Sequence, residues 1–465
     1  MTENNVYFVG IGGIGMANLA RYYLSRNACV AGYDRTSSAL TKALEKEGAE
    51  VTYTDCAECI PSHFRDKDST LVVYTPAVPD DNAILSYFRT NGFNVIKRAA
   101  LLGRITRQTK GICVAGSHGK TTTSSMAAHI LHSGHTGCNA FLGGILRNYD
   151  TNLLLSATSP YSVIEADEYD RSFHHLSPHI AIVTSTDPDH LDIYGDEAGY
   201  LEGFAHFTSL VKPGGFLLLH TGLKLRPRTG EHVTTLTYSA TDPTADYHAA
   251  NVRHTPGRLY FDFHGPGGFV IDNIELGVPV EINIDNAVGA IAAALLAGAT
   301  PGECREGIRT FMGPQRRFEI WLRPEDHPGG HGTVLIDDYA HSPAEIEASI
   351  RGVKALYPDH RLTVVFQPHL YTRTRDFAPG FASALSLADQ VVLCEIYPAR
   401  ELPIAGVTSE IILKDVKAPK KQLICRKDLL NFVKNTNFDI LMTLGAADIN
   451  VLLPDIKRIL LEKQS

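Results

Sequence analysis

A strand, a glycine loop and a helix follow one another near residue 116 of the chain. Residues 112–115 have the apolar pattern of a short buried strand, and a helix with one apolar face is expected from Ser124 onward. The loop between them contains Gly116 and Gly119, directly followed by Lys120. Two glycines let the backbone wrap a phosphate, and the N-terminus of a helix directs free N–H groups at it. This order of elements predicts an α/β domain with a nucleotide-phosphate site.

The residue types in this loop suggest a role for each of two side chains. Lys120 is expected to reach the outer phosphates, and the hydroxyl of Thr121 is expected to take a place on Mg²⁺. An ordinary glycine turn is the alternative, but the order of strand, Gly-Lys-Thr and helix favours a phosphate site. The predicted nucleotide contacts of the loop are Gly116, Ser117, His118, Gly119, Lys120, Thr121 and Thr122.

A second glycine loop stands at the start of the chain. A strand over residues 6–9 leads into Gly10-Ile-Gly-Gly-Ile-Gly15, a helix, and a second strand that ends at Asp34. This is the dinucleotide fingerprint, which taken alone suggests a dehydrogenase. The chemistry it implies is narrower, because backbone N–H groups and a helix dipole receive any diphosphate, including that of UDP. The predicted contacts of this loop are Gly12, Gly13, Ile14 and Gly15.

Acidic residues follow a strand predicted over residues 162–164. Glu165 stands directly at its end, and Asp167 and Glu168 follow. Enzymes of nucleotide chemistry place a carboxylate at such a strand end, facing Mg²⁺, although a solvated acidic turn is a common alternative. The next strand, residues 180–183, leads to His190, for which a metal or phosphate role is favoured over plain polar surface, because ligands gather at the carboxyl ends of parallel strands.

The rest of the chain predicts an antiparallel hairpin and a third parallel sheet. Residues 259–274 alternate between glycine turns, and later strands at residues 334–336, 362–366 and 440–444 each end in polar loops. Residues 104–110 are predicted to be a first linker, and a hinge is expected near Gly313.

Length and composition limit the class of protein. The chain has 465 residues, enough for about three domains. A net charge of −8 with no long basic run makes nucleic acid an unlikely partner. No apolar stretch of about 18 residues predicts a membrane span. The N-terminus enters a strand rather than a signal peptide, and the scattered cysteines favour reduced thiols, so a cytoplasmic location is expected. The sequence does not set the oligomeric state.

Taken together in their order, these motifs resemble the Mur ligase family, and the resemblance covers essentially the whole chain. The carrying motifs are Gly-Ile-Gly-Gly-Ile-Gly-Met, Gly-Ser-His-Gly-Lys-Thr-Thr, Glu-Ala-Asp-Glu, Arg-Arg-Phe-Glu, Asp-Asp-Tyr-Ala-His and Phe-Gln-Pro-His-x-Tyr-Thr-Arg-Thr. The resemblance implies three α/β domains: residues 1–107 with a Rossmann-like sheet that binds a UDP substrate, residues 108–312 with a P-loop ATPase-like sheet and an antiparallel addition, and residues 313–465 with a Rossmann-like sheet that binds the amino acid and closes on ATP.

The resemblance also implies a reaction. A substrate carboxylate attacks the γ-phosphate of ATP and gives an acyl phosphate and ADP. The amine of an amino acid then attacks the acyl phosphate, and phosphate leaves. Within the family the likeness is to enzymes that join L-alanine to UDP-N-acetylmuramate in peptidoglycan synthesis, with Mg²⁺ as the metal.

The same resemblance assigns roles to individual residues. Thr121 and Glu165 are expected to hold one metal and His190 a second, with Lys120 acting on the transferred phosphoryl group. His341 and Arg373 match positions near the transferred phosphate or the incoming amino acid. Expected contacts to ATP are Asn283, Asn286, Arg317 and Asp338, and further expected substrate contacts are Tyr339 and His369.

Departures from the family pattern and rival functions remain open at this stage. Ile282 and Leu370 stand where the family commonly has His and Arg, and the latter change leaves the amino-acid carboxylate site less defined. Several members of the family carry a modified, metal-binding lysine on the helix after His190. This chain has no lysine there, and Glu202 either takes its place as a metal ligand or is simply a solvated helix residue. Rival functions are a ligase that recycles an intact peptide onto UDP-N-acetylmuramate, an NAD-dependent dehydrogenase and a non-catalytic nucleotide switch.

Overall fold

The computed structural model of the chain describes residues 4–327 and 332–463. Three α/β units follow one another, each built on its own sheet. The first sheet has five parallel strands in the order β3-β2-β1-β4-β5. Its elements are β1 (Asn5–Val9), α1 (Ile14–Leu24), β2 (Cys29–Tyr33), α2 (Ala39–Lys46), β3 (Glu50–Thr52), β4 (Thr70–Tyr74), α3 (Ala83–Thr90), β5 (Asn94–Lys97) and α4 (Arg98–Gln108).

The second sheet has ten strands in the order β15-β14-β13-β12-β11-β10-β6-β9-β7-β8. Its centre is parallel, and β13, β14 and β15 add an antiparallel meander at one edge. The elements are β6 (Lys110–Ala115), α5 (Lys120–Ser133), β7 (Asn139–Leu146), β8 (Thr151–Leu154), β9 (Tyr161–Glu165), β10 (Ile180–Val183), α6 (Leu191–Tyr194), α7 (Glu197–Ser209), β11 (Phe216–His220), β12 (Thr234–Ser239), β13 (Tyr247–Thr255), β14 (Arg258–Gly265), β15 (Phe269–Glu275), α8 (Ile282–Leu296) and α9 (Pro301–Thr310).

The third sheet has six strands in the order β16-β17-β21-β18-β19-β20, of which β16 alone runs antiparallel within this described sheet. The elements are β16 (Glu319–Leu322), β17 (Val334–Asp338), α10 (Pro343–Leu356), β18 (Leu362–Phe366), α11 (Tyr371–Leu385), β19 (Gln390–Leu393), α12 (Glu410–Leu413), β20 (Lys420–Leu423), α13 (Leu429–Asn435), β21 (Ile440–Leu444) and α14 (Leu453–Glu462). The predicted fold class is confirmed, with three α/β sheets and an antiparallel addition to the second.

The central strands are apolar on both faces because helices cover both sides of each sheet. In β6, Ile112, Cys113, Val114 and Ala115 are all fully buried. One apolar core cluster continues from the second sheet into the third, and another joins the first sheet to the second. The three units therefore pack against one another, and the functional loops lie where strands of neighbouring sheets end.

The sequence interpretation of the first linker was wrong. Residues 104–108 belong to α4, and β6 begins at Lys110, so a single residue separates the two. Leu101 and Ile105 of α4 are buried, whereas Arg107 is exposed. Arg107 thus lies on the outer side of an amphipathic helix, and Lys110 already belongs to the next strand.

Candidate functional site

The phosphate loop lies between β6 and α5, and hydrogen bonds to the segment that follows β10 hold its backbone in place. The main-chain N–H of His118 donates to Ser185 Oγ at 2.7 Å, and Ser117 Oγ donates to the carbonyl of Asp187 at 2.6 Å. Gly116 adopts φ +145°, and a Cβ there would lie 2.1 Å from Thr184 Oγ1. The loop is therefore preformed around glycine, and its helix begins at Lys120.

Lys120 folds back over the loop. Its Nζ donates to the carbonyl of Gly116 at 2.6 Å and to Glu168 Oε1 at 2.9 Å. Both side chains are withdrawn from solvent, with 15% of Lys120 and 2% of Glu168 exposed. The ammonium is thus held at the mouth of the loop by one carbonyl and one buried carboxylate.

Glu165 ends β9 beside the start of α5. Its Oε2 accepts the N–H of Gly143 at 3.1 Å. Burial raises the pKa of Glu165, while a hydrogen bond from Thr121 and the charge of Lys120 act in the opposite direction. The structure therefore brings together Thr121, Lys120 and Glu165, as the sequence predicted, and offers hydroxyl and carboxylate oxygens at one place.

The glycine loop of the first sheet is closed by its own acidic residue. The N–H of Gly12 donates to Asp34 Oδ2 at 2.7 Å, and Gly10 adopts φ +89°. Gly15 lies against Arg98, because a Cβ at Gly15 would be 3.0 Å from the Arg98 guanidinium. The absence of a side chain at Gly15 lets this cation approach the start of α1.

A cavity of about 320 Å³ joins this loop to the second sheet. Its lining includes Ile14, Gly15 and Arg98 from the first unit, and Glu165 and Asp167 from the second. A ligand whose diphosphate lies near Gly15 and Arg98 would thus reach toward Glu165. Glu165 lines the cavity of the first glycine loop and is hydrogen-bonded to Thr121 of the second, so it stands between the two loops.

A second cavity, of about 340 Å³, lies between the second and third units. It brings together eight of the residues predicted to contact ATP or the amino acid, which come from the phosphate loop, α8, the connection near Gly313 and the end of β17: Gly119, Thr122, Asn283, Asn286, Arg317, Asp338, Tyr339 and His341. Asn286 accepts from Thr123 Oγ1 at 3.0 Å and donates to Asn283 Oδ1 at 3.0 Å. The two amides are fixed by this chain of hydrogen bonds at the wall of the cavity.

Asp338 and its neighbour Asp337 are directed differently at the end of β17. Asp338 lines the cavity and accepts a short hydrogen bond from Ser349, and burial raises its pKa. Asp337 is fully buried, accepts from Thr443 at 2.5 Å and faces Arg316 at 3.4 Å. Asp338 is therefore the member of the pair that is available to a ligand.

His341 and His369 follow β17 and β18 in the third unit and lie close enough for the charge of His341 to act on His369. His341 Nδ1 lies 3.0 Å from the carbonyl of Tyr339. His369 stacks on Tyr397, with ring centres 5.9 Å apart, and its Nδ1 is buried without a partner among the described residues. Burial lowers the pKa of His369, and the charge of Arg373 lowers it further. This edge of the third sheet is cationic, which suits an anionic ligand.

His190 and Glu202 lie apart from the Thr121–Glu165 pair. His190 begins α6 with φ +51°, next to Asp189 at 3.7 Å and the ring of Tyr169 at 5.2 Å. Glu202 lies on α7, where both of its oxygens accept from Arg228 at 2.6 Å. Glu202 is thus paired with Arg228, and its metal role stays a prediction.

Two residues of the site were absent from the sequence predictions, and one candidate metal set stays incomplete. Glu168 belongs to the acidic segment after β9, but the sequence gave no reason to assign it a role of its own. Arg98 belongs to none of the motifs. Over residues 4–327 and 332–463, no three His, Cys, Asp or Glu side chains cluster as a metal centre. The oxygen donors of Thr121 and Glu165 still suit Mg²⁺, which takes few protein ligands and completes its shell with substrate phosphates and water. In the same described part of the chain, no helix is long and apolar enough to cross a membrane.

Comparison with protein families matches three consecutive stretches of the chain. Residues 5–110 match the Mur ligase family catalytic domain, residues 114–294 the Mur ligase middle domain, and residues 316–442 the Mur ligase glutamate ligase domain.

Individual relatives match over almost the full length. The UDP-N-acetylmuramate–L-alanine ligase of Parabacteroides distasonis is 52% identical over 455 residues, covering 98% of this chain and 97% of the relative. The crystal structure of a UDP-N-acetylmuramate–alanine ligase from Thermotoga maritima superposes with a TM-score of 0.73 at 26% identity, covering 99% of this chain and 98% of that one. A murein peptide ligase from Psychrobacter arcticus shares the fold, with a TM-score of 0.60 at 20% identity over 98% of both chains.

Proposed function

The chain belongs to the Mur ligase family, and we propose that it joins L-alanine to the carboxylate of UDP-N-acetylmuramate in peptidoglycan synthesis, with conversion of ATP to ADP. The observation that carries this function is the 52% identity to an L-alanine ligase over 98% of the chain. The recycling alternative is not favoured, because the murein peptide ligase is only 20% identical and shares no more than the fold.

In this proposal the substrates bind at different surfaces, and the presence of two separate cavities supports it. The UDP diphosphate lies at the first glycine loop, where Gly15 leaves space for the guanidinium of Arg98. The sugar and its carboxylate then extend toward Glu165, which lines the same cavity. ATP lies between the second and third units, with its phosphates at the loop of Gly119 and Lys120.

The residues of the phosphate loop supply positioning and charge for the first step. Transfer of the γ-phosphoryl group to the muramate carboxylate requires alignment of the two reactants and neutralisation of charge more than acid–base chemistry. Lys120 provides a cation fixed by Gly116 and Glu168. Thr121 and Glu165 are the side chains that would hold Mg²⁺, and the ion would neutralise phosphate charge when bound.

The third unit receives the amino acid in this proposal. His341 and Arg373 follow β17 and β18, and His341 lines the cavity that we assign to ATP. The cationic side chains at this edge would bind the carboxylate of L-alanine and leave its amine to attack the acyl phosphate. The unit boundaries expected at residues 107 and 312 remain part of the proposal. A cytoplasmic location is proposed too, since all eight cysteines are free thiols.

A turnover assay tests the function directly. Phosphate release is measured with ATP and UDP-N-acetylmuramate in the presence of L-alanine, glycine, L-serine or a tripeptide. We expect release that requires both co-substrates and is fastest with L-alanine. Ligation of the tripeptide without ligation of alanine, or turnover of NADH, would refute the proposal.

A further inference from the structure

We propose that Glu168 is a positioning residue of the ATP site, whose carboxylate fixes the ammonium of Lys120 so that one of its protons points at the transferred phosphoryl group. This inference rests on the proposed ATP-dependent function and assigns a role to a residue that the reaction itself does not require. The juxtaposition that carries it is the 2.9 Å contact between Glu168 Oε1 and Lys120 Nζ at the mouth of the loop.

The hydrogen bonds of Lys120 leave one proton for a ligand. A lysine ammonium has three donors. One goes to the carbonyl of Gly116 at 2.6 Å and one to Glu168 at 2.9 Å. The remaining contact, to the carbonyl of Ser117, is long at 3.4 Å. The third proton is therefore weakly committed, and a phosphate oxygen can replace Ser117 without disturbing the other two bonds.

The main chain of Glu168 is fixed by two hydrogen bonds to its carbonyl oxygen. The hydroxyl of Tyr194 donates to the carbonyl of Glu168 at 2.7 Å, and the N–H of Arg171 donates to the same carbonyl at 3.0 Å. The backbone then turns sharply, because Asp170 and Arg171 both have positive φ, at 51° and 54°. Non-glycine residues in this region are strained and persist only where the surrounding structure enforces them. The turn directs Glu168 inward, under the phosphate loop.

A purely structural ion pair does not explain the second oxygen of this carboxylate. Oε2 of Glu168 is buried and has no hydrogen-bond partner within the described residues. A buried pair stabilises a fold only when its remaining oxygens are also satisfied. The unsatisfied oxygen belongs to Glu168, and the strained turn at Asp170 and Arg171 follows in the same segment. Such features are typical of functional sites, where stability is given up for geometry.

The two glutamates of the acidic segment, Glu165 and Glu168, thus face different parts of the site. Glu165 lines the cavity shared with the first unit and accepts from Gly143. Glu168, three residues later, is 2% exposed and faces Lys120. Glu165 is placed to meet the substrate side of the reaction, and Glu168 is placed to orient the cation of the ATP side.

The test compares Glu168→Gln with the wild type. Glutamine keeps the size and one acceptor oxygen but removes the charge that fixes Lys120. We expect kcat to fall about tenfold, while KM for ATP and KM for UDP-N-acetylmuramate stay within about twofold, because the lost interaction acts in the transition state. Asp170→Asn is the matched control, since this exposed acid of the same segment lies 3.8 Å from Lys97 instead, and it should leave kcat unchanged.

The outcomes separate this inference from the proposed function. An unchanged kcat in Glu168→Gln overturns the inference, and so does a fall matched by equal rises in both KM values together with a lower melting temperature. If Glu168→Gln does not fold, Tyr194→Phe decides, because it removes one of the two donors to the carbonyl of Glu168 and should lower kcat alone by a smaller factor. Absence of alanine-dependent turnover in the wild type refutes the proposed function instead. The kcat of Glu168→Gln is then compared with that of the wild type on the substrate that the wild type does ligate.

Discussion

The two glycine loops of the molecule are built alike and used differently. Each joins a buried parallel strand to a helix, and each lies at the edge of the region around Glu165. In the first loop, the N–H of Gly12 is already bonded to Asp34, and the nearby cation, Arg98, comes from a different helix. In the second, the cation is Lys120, the first residue of the helix itself.

The difference teaches what a glycine loop specifies. Backbone N–H groups and a helix N-terminus give either loop affinity for phosphate. Only the second loop holds a lysine within reach of an outer phosphate, so only this loop can act on a phosphoryl group that moves. The first loop is suited to binding a diphosphate that stays intact. The following variants test whether binding and transfer are separated in this way.

The largest effect is expected for Lys120→Ala. Its ammonium acts on the charge that develops during phosphoryl transfer, so kcat should fall by about a thousandfold or more. Steady-state kinetics measures this loss, and titration calorimetry should show unchanged binding of UDP-N-acetylmuramate. Lys354→Ala, which removes a lysine paired with Asp389 at 3.4 Å in the third unit, is the control. Near-native turnover of Lys120→Ala would show that the second loop only binds.

Acid should loosen the helix behind the second loop before the helix behind the first. His129 on α5 is 4% exposed, lies between Tyr149 and Thr310, and has a pKa that burial lowers to about 4. The folded state disfavours the charged ring, so stability is fully present above the unfolded pKa of about 6.5 and is lost as the pH falls toward 4. The loss should be about 2 kcal/mol at pH 5.

Hydrogen exchange after incubation at pH 7.5 and pH 5 measures this difference. We expect peptides from α5 to lose protection at pH 5, while peptides from α1, which contains no histidine, keep theirs. α5 also contains His132, whose pKa is lowered by partial burial. His129→Gln removes the more deeply buried ring and should reduce the pH dependence in α5, leaving the smaller contribution of His132. Equal loss of protection in both helices would show that the two loops do not rest on separately stable supports.

Sequence reasoning identified the elements of this fold better than their connections. The predicted bounds of β10, β18 and β21 agree with the structure, because strands buried on both faces are apolar runs with polar ends. The prediction of a linker over residues 104–110 was wrong, because most of this stretch belongs to α4 and β6 begins at its end. Long-range packing decides such cases, and a local pattern does not record it.

The functional site was predictable to the same extent. The residues of the phosphate loop carry a motif, and the structure places several of them at one cavity. Among the acids at the end of β9, sequence reasoning gave a role to Glu165 alone, whereas the structure also buries Glu168 and pairs it with Lys120. Arg98, the first residue of α4, lies against Gly15 of the first loop only in the folded chain, and no local pattern carries that information.

A smaller effect is expected for Arg98→Ala, which tests the first loop. Loss of a charge-assisted contact to the diphosphate should raise KM for UDP-N-acetylmuramate about tenfold, with kcat and KM for ATP nearly unchanged. Arg107→Ala on the exposed side of the same helix is the control. A fall in kcat at saturating substrate would show that the first loop also takes part in transfer.

The smallest effect is expected for Glu202→Gln, which tests how far the metal region of the second loop extends. Glu202 shares a two-pronged ion pair with Arg228, and both side chains are more than half exposed. Exposed pairs of this kind contribute less than about 1 kcal/mol, so stability should change little. The Mg²⁺ concentration for half-maximal rate should stay the same, and removal of CO₂ should have no effect, because α7 contains no lysine that could form a carbamate. Arg228→Gln breaks the same pair from the other side and should behave like Glu202→Gln. A raised Mg²⁺ requirement in Glu202→Gln alone would place this carboxylate at the metal and extend the transfer region from the second loop to α7.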